Sequence, residues 1–338
     1  MKIFLRKIVL LLAILQFASC KNAEETVPTN QQSSSNQIEY ATSLSIYKHE
    51  GYTIVKVNNP WPKANKKFTY ILQKNGGIVP DSLKKYNTIR VPLQSIVVTS
   101  TTNIPFLEML KIENQLIGFP HTDYISSEKT RSLIAAGKVK NIGQNERLDV
   151  EQLIDLAPSA IVTYGIDNNN PMIDNLEKSG LKVIIQADWM EQSPLGKAEW
   201  IKLYGALFGK EEEAKTQFDA IVKNYNDAMQ LVSKTEAQAT VLYGSMYQDQ
   251  WYVANGNSWV AQFMKDAKSN YLWADIAGSG STPLSFEQIL EKGKSANYWI
   301  TTGSFKSYTE MKSNNPHYTQ FDAFTKKNIY SFESKLGA

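Results

Sequence analysis

Along the chain, apolar residues recur first with the two-residue period of strands and then in alternation with helical spacing. Short β-type runs at 52–57, 68–72, 88–91 and 95–100 are bounded by turn formers such as Asn58-Asn59-Pro60 and Asn75-Gly76-Gly77. A short helix at 106–110 follows, then a strand at 116–119, a helix at 150–156 and a strand at 160–164. A helix at 172–178 and a strand at 182–186 repeat the order. Strands that alternate with helices predict an α/β domain on a largely parallel sheet.

The longest helical pattern runs over 211–234, with Phe218, Ile221, Val222, Tyr225, Met229 and Val232 on one stripe and Glu211 to Glu213 at its positive end. At 1.5 Å per residue it is about 36 Å long, enough to run along both halves of a two-lobed protein. After it the alternation restarts with a strand at 239–243 and a helix at 259–265. An internal repeat supports two lobes of related topology. The segment 148–160 aligns without a gap on 284–296, and each leads into a strand that ends in Thr163-Tyr164-Gly165 or Thr301-Thr302-Gly303. Asp149 with Gln152, and Ser285 with Gln288, have the spacing of helix caps. Glu151 and Glu287 fall in the first turns, where the helix dipole favours a carboxylate by about 0.3–1 kcal/mol. Capping explains either glutamate alone, but not the same acidic position in both halves.

Lys2, Arg6 and Lys7 precede an apolar run from Ile8 to Leu15, too short to cross a bilayer, and then Gln16-Phe17-Ala18-Ser19-Cys20. This is the layout of a secretory signal at 1–19. The sole cysteine, directly after Ala18-Ser19, resembles the lipobox of bacterial lipoproteins, with Phe17 where Leu is usual. The resemblance implies acylation of Cys20 and a lipid anchor in the cell envelope, facing the periplasm or the cell surface. Residues 20–38, rich in Ser, Asn, Gln and Glu, are expected to form a flexible tether. Lys21-Asn22-Ala23-Glu24-Glu25 also looks like an acidic export tag of Bacteroidota.

Charge and composition narrow the function classes. The chain has 36 Lys and Arg against 33 Asp and Glu, and the excess lies in the signal, so the remainder is formally neutral and lacks the basic field that nucleic-acid binding requires. One cysteine excludes a disulfide framework. No phosphate loop or nucleophile elbow occurs, and His49, His121 and His317 lack metal-ligand spacing, so neither an enzyme, a cofactor nor a resident metal is expected.

Arg90-Val91 followed by Ile96 to Ser100, then Ile117-Gly118-Phe119, the twin segments 148–164 and 284–302, and the long helix between them resemble the class III solute-binding proteins of ABC importers. That family captures iron-siderophores, haem and cobalamin. The resemblance covers 87–330 and implies an α/β fold of two Rossmann-like lobes joined by a single long helix. The expected division is 39–209 for the first lobe, with a β-rich extension at 39–87 outside the family pattern, 210–235 for the helix and 236–338 for the second lobe. The family continues past a late strand, matched here at 328–332, into one or two closing helices, so a chain that stops at Ala338 predicts a shortened second lobe.

By the same resemblance, Glu151 and Glu287 dock into arginine pockets of the two permease subunits, a contact suited to preorganised carboxylates. A monomer is expected to deliver its ligand there. The ligand lies at loops that leave the carboxyl ends of strands, which selects Thr101, Asn103, Tyr124 and Tyr164 on the first lobe. On the second lobe the aromatic and amide cluster selects Tyr247, Trp251 and Trp259, to stack on a catecholate, porphyrin or corrin. The opposing expectation places Tyr252 and Trp259 in the core of a hairpin and the helix after it. A ferric siderophore is the leading ligand, with cobalamin or haem as alternative, and a surface scaffold lipoprotein is the rival from another class.

Overall fold

Alternation of inward and outward side chains builds a four-stranded sheet at the start of the described chain. In this computed structural model the described residues are 34–144, 147–236, 238–303 and 305–331. The signal, Cys20 and the tether up to residue 33 lie outside them, as do 332–338. The first sheet runs β1 (Leu44–Lys48), β2 (Tyr52–Val57), β3 (Phe68–Lys74), β4 (Asn87–Val91), in that order, antiparallel except for the parallel β3–β4 pair.

The next strands are β5 (Ile96–Val98), β6 (Leu116–Phe119), β7 (Lys140–Asn141), the small hairpin β8 (Gly143–Gln144) and β9 (Arg147–Leu148), then β10 (Ala160–Thr163) and β11 (Val183–Ile185). Five of them form a parallel sheet in the order β11-β10-β5-β6-β7. β5, β10 and β11 are buried along their whole length, which is why they read as unbroken apolar runs.

The second half contributes β12 (Thr240–Tyr243), β13 (Met246–Tyr247), β14 (Gln250–Ala254), β15 (Asn270–Tyr271), β16 (Ser281–Leu284), β17 (Tyr298–Thr301) and β18 (Ile329–Ser331). β15-β12-β17-β18 is again a parallel sheet, and β13-β14-β16 is a small antiparallel one beside it. One hydrophobic core extends from Ile38 to Phe218 and a second from Val241 to Ala323. The fold is thus two α/β lobes with a β-rich extension on the first.

The helix Glu211–Val232 joins them. Its 22 residues span about 33 Å, and it ends at Val232, the last residue of the apolar stripe and two residues short of the expected 211–234. Ala214 and Phe218 bury its first half in the first core. Further along, the Tyr225 hydroxyl donates to Asp266 Oδ2 at 2.6 Å and its ring meets Phe263 at 5.6 Å, in the second lobe. The helix Ile201–Phe208 before it escapes a reading by periodicity because nearly every side chain is buried, leaving no polar face to mark the period.

Two buried glutamates fasten the extension to the first lobe. Glu199, with no exposure, accepts the backbone N–H groups of Glu39, Tyr40 and Ala41 at 2.7–2.9 Å and the Lys202 ammonium at 2.6 Å. Glu191 accepts the N–H groups of Thr42 and Ser43 at 2.8 and 3.0 Å, the Thr42 hydroxyl, and the Trp200 indole N–H at 3.1 Å. Five consecutive amides therefore end on two carboxylates. Replacing Glu199 by Ala strands three of them and leaves the half-buried Lys202 ammonium with only the Gln37 carbonyl, so a loss of about 3–5 kcal/mol is expected in urea unfolding of Glu199→Ala. Loss of less than about 1 kcal/mol would mean that water replaces the carboxylate there.

Candidate functional site

The carboxyl ends of β5, β10 and β11 open onto adjoining cavities of about 250 and 220 Å³ that share Thr163, Tyr164 and Ile166. Each side chain is placed by a turn that the strand runs into. The Ser100 hydroxyl accepts the Thr102 N–H and starts a 3-10 turn, Thr101–Asn103, that delivers Asn103. Below it, Thr99 Oγ1 donates to Thr163 Oγ1 at 2.9 Å and ties β5 to β10 at their ends. Beyond β11 the chain passes Gln186 and turns through Asp188–Met190.

The floor of the larger cavity is polar and incompletely paired. Asn103 and Gln186 are each 2% exposed, and Asn103 Nδ2 and Gln186 Nε2 have no hydrogen-bond partner in the protein. Gln186 Oε1 accepts the Tyr204 hydroxyl at 2.6 Å. Burial, reinforced by the Asp188 carboxylate, pushes the Tyr204 phenol well above its ordinary pKa. It therefore stays a donor to the Gln186 oxygen, which leaves the Gln186 amide N–H groups without a partner in the protein. Asp188 is buried and paired with Lys197 at 3.1 Å. Around this floor the rim is apolar and aromatic: Tyr164, Ile166 and Trp189, the last two substantially exposed. Buried polar atoms are almost always paired in folded proteins, so two unpaired amides under an open rim mark a place where a ligand or water completes the set. The arrangement suits a molecule with oxygen acceptors on one side and a flat face on the other.

Of the side chains expected to touch ligand, the structure brings Asn103 and Tyr164 together here. Thr101, on the same turn, faces a separate shallow groove beside Glu108 and Ser127. Tyr124 is exposed after β6, with its ring against His121 at 5.1 Å. Tyr247 is exposed on the β13–β14 hairpin, edge-on to Tyr252 at 6.4 Å.

Trp251 is corrected from ligand platform to core. It has no exposure, its indole N–H donates to the Tyr243 carbonyl at 2.9 Å, and its ring packs on Trp299, Tyr318 and Phe321. The cause is the two-residue alternation of β14, in which Gln250 and Tyr252 face out and Trp251 and Val253 face in. The opposing expectation for Tyr252 reverses with it, since that side chain is exposed. Trp259 is half-buried at the start of the helix Trp259–Asp266, beneath the Lys197 ammonium at 5.7 Å and edge-on to Phe263.

Gln186, Asp188 and Trp189 escaped the sequence reading. The signal was present: they leave the carboxyl end of an apolar strand, the rule that selected Asn103 and Tyr164.

The repeated helix starts are as the caps require. Asp149 Oδ1 accepts the Gln152 N–H at 2.9 Å. At Ser285 the reciprocal box closes, with the hydroxyl accepting the Gln288 N–H and Gln288 Oε1 accepting the Ser285 N–H at 2.9 Å. Each helix leads into the strand that pairs with the first strand of its parallel sheet, β10 with β5 and β17 with β12. Glu151 and Glu287 are both exposed. Glu287 is held below the usual carboxylate range, first by its own backbone N–H, then by the Ser285 hydroxyl, with His317 adding a smaller pull. Among the described residues, no group of three or more His, Cys, Asp or Glu side chains is arranged to hold a metal ion.

Asn103→Ala removes no protein hydrogen bond that the cavity amide makes, so urea stability is expected to change by less than about 1 kcal/mol while ligand affinity falls about tenfold. Equal losses of stability and affinity would make the amide structural instead.

Comparison with known proteins agrees with this fold. Residues 96–336 match the family described as periplasmic binding protein. An uncharacterized lipoprotein of Methanocaldococcus jannaschii, MJ0878, is 26% identical over 328 residues, covering 90% of this chain and 78% of its own. The periplasmic heme-binding protein HutB of Vibrio cholerae has a similar fold, with a TM-score of 0.57 at 18% identity over 71% of this chain and 90% of that one. So has a possible iron-binding, periplasmic solute-binding protein of Staphylococcus epidermidis, with a TM-score of 0.54 at 21% identity over 71% and 90%. This chain belongs to the periplasmic binding proteins of class III type, which bind substrates for transport rather than convert them.

Proposed function

We propose that this periplasmic binding protein captures an iron-siderophore-type chelate outside the cytoplasm and hands it to the permease of an ABC importer. The observation that carries the reading is the cavity at the ends of β5, β10 and β11, lined by Asn103 and Gln186, whose amide donors are unpartnered in the protein, together with Tyr164, Ile166 and Trp189. Chelates of this kind present oxygen acceptors around a metal and often a flat aromatic face, and the floor and rim suit those two features in turn. The fold shared with a possible iron-binding protein supports the class of ligand. Haem or cobalamin is the second reading, favoured by the exposed Tyr247–Tyr252 pair, which offers flat surface to a macrocycle.

Delivery is assigned to Glu151 and Glu287. Both are exposed carboxylates in first turns of equivalent helices, placed where an arginine partner could pair with them. The anchor is assigned to Cys20, acylated after removal of 1–19, which accords with a relative that is named a lipoprotein. No helix among the described residues is long and apolar enough to cross a membrane.

Titration of the full-length protein in detergent with a ferric catecholate, a ferric hydroxamate, haemin and cobalamin tests the ligand. Saturable quenching of tryptophan emission by a ferric siderophore is expected, with Trp189 at the cavity rim as the reporter. Saturation by haemin or cobalamin alone establishes the second reading, and no response from a folded protein favours a scaffold. In cells, Glu151→Ala with Glu287→Ala is expected to abolish uptake of the bound chelate at unchanged affinity. Normal uptake by that double variant would remove both residues from docking.

A further inference from the structure

Residues 34–95 precede the portion matched by the family, so membership accounts for nothing that this extension does. Besides the anchorage of 39–43 on Glu191 and Glu199, a second set of its contacts reaches the chain that frames the cavity. Trp61, 2% exposed, lays its ring against Gly165, two residues past the end of β10. A Cβ at Gly165 would sit 2.7 Å from Trp61 Cε3 and Cζ3, so the ring occupies the space that any other residue would need. The Trp61 indole N–H donates to Asn168 Oδ1 at 2.8 Å, and the Asn65 backbone N–H donates to the same oxygen at 3.1 Å. Asn168 Nδ2 returns a bond to the Lys63 carbonyl at 3.1 Å. Further on, the backbone N–H of Ile185, the last residue of β11, donates to the Tyr70 hydroxyl of β3 at 2.9 Å.

The two segments so held are the ones that supply the cavity. Loop 164–170 carries Tyr164 and Ile166, which border both cavities, and β11 leads directly into Gln186, Asp188 and Trp189. Ile166 is 65% exposed and Asp167, Asn168 and Asn169 face water, so the loop buries little of its own surface to fix its course. Fixing a loop before the ligand arrives removes an ordering cost from binding.

We propose that the extension is a buttress for the ligand cavity, and that Trp61 and Asn168 are positioning residues that hold loop 164–170 in its binding conformation. The proposal rests on the reading that this cavity binds ligand, but its first readout does not need one. In Asn168→Ala, made in the full-length protein, hydrogen exchange of the 164–170 amides is expected to quicken about tenfold while that of β5 and β10 is unchanged, the effect of losing a local bond network in a folded lobe. Asn168→Asp keeps the oxygen that accepts from Trp61 and Asn65 but sets an acceptor against the Lys63 carbonyl, so it is expected to restore slow exchange only in part. With whichever of the ferric catecholate, ferric hydroxamate, haemin or cobalamin saturates the wild type, Asn168→Ala should bind about tenfold more weakly, with Asn168→Asp between the two.

Unchanged exchange in Asn168→Ala overturns the buttress, as does unchanged affinity for a probe that the wild type binds. If the wild type binds none of the probes, the proposed ligand class fails, and the exchange comparison alone decides whether the extension holds the loop.

Discussion

Five successive backbone N–H groups, from Glu39 to Ser43, converge on the buried carboxylates of Glu191 and Glu199, and the course of the chain into the β-rich extension depends on that meeting. A carboxylate withdrawn from water loses several kcal/mol of hydration, and it remains charged there only if several donors surround it. Here the donors are main-chain amides that no strand partner satisfies, since the segment enters β1 from an irregular stretch. Lys202 on Glu199 and Trp200 on Glu191 complete each set. The result fixes the direction in which the chain enters the extension. It also secures the near end of a body whose far side, through Trp61 and Tyr70, reaches the cavity loops.

A second constraint joins the lobes. The turn Asp188–Met190 and the helix Pro194–Ala198 lie between the cavity and the second lobe, and Lys197 serves both sides. Its ammonium pairs with the buried Asp188 and lies over the ring of Trp259, the first residue of a helix in the other lobe. A cation–π contact of this kind contributes about 0.5–2 kcal/mol depending on its exposure to water. Together with the Tyr225–Asp266 bond from the long helix, it ties the second lobe to the first at two separated points. Trp259 thus acts as a contact between lobes.

The strand and helix order was legible because each parallel strand is buried on both faces and each amphipathic helix has one dry stripe, so local pattern and tertiary burial coincide. The ends of β10 and the helix at 150–156 could be placed to within a residue for that reason. What failed was any feature decided at long range. Glu191 and Glu199 look like ordinary surface charges, and nothing nearby in the sequence indicates that amides about 150 residues earlier will surround them. Trp251 was misjudged for a different cause. Its neighbours Tyr247, Gln248 and Gln250 made the stretch look like an open loop, yet β14 pairs with β16 and the pairing turns Trp251 into the second core. Trp189, with fewer aromatic neighbours, lies at the rim instead. Local aromatic density therefore marked a core tryptophan, whereas position at the carboxyl end of a parallel strand marked Asn103 and Tyr164, which line the cavity.

Four glutamates show how burial separates roles that residue type cannot. Glu191 and Glu199 are committed inward, with every oxygen taken by donors of the same chain. Glu151 and Glu287 stand exposed in first turns, where the helix dipole favours them by only about 0.3–1 kcal/mol and the caps are supplied by Asp149 and Ser285 instead. Since each helix start is already capped by another side chain, neither exposed glutamate is needed to begin its helix. Their surroundings also differ, because His317 and the closed capping box attend Glu287 alone. The two carboxylates stand at matching points of two lobes although their neighbours differ. Stability alone gives little reason for it, while a partner with two related subunits gives a direct one.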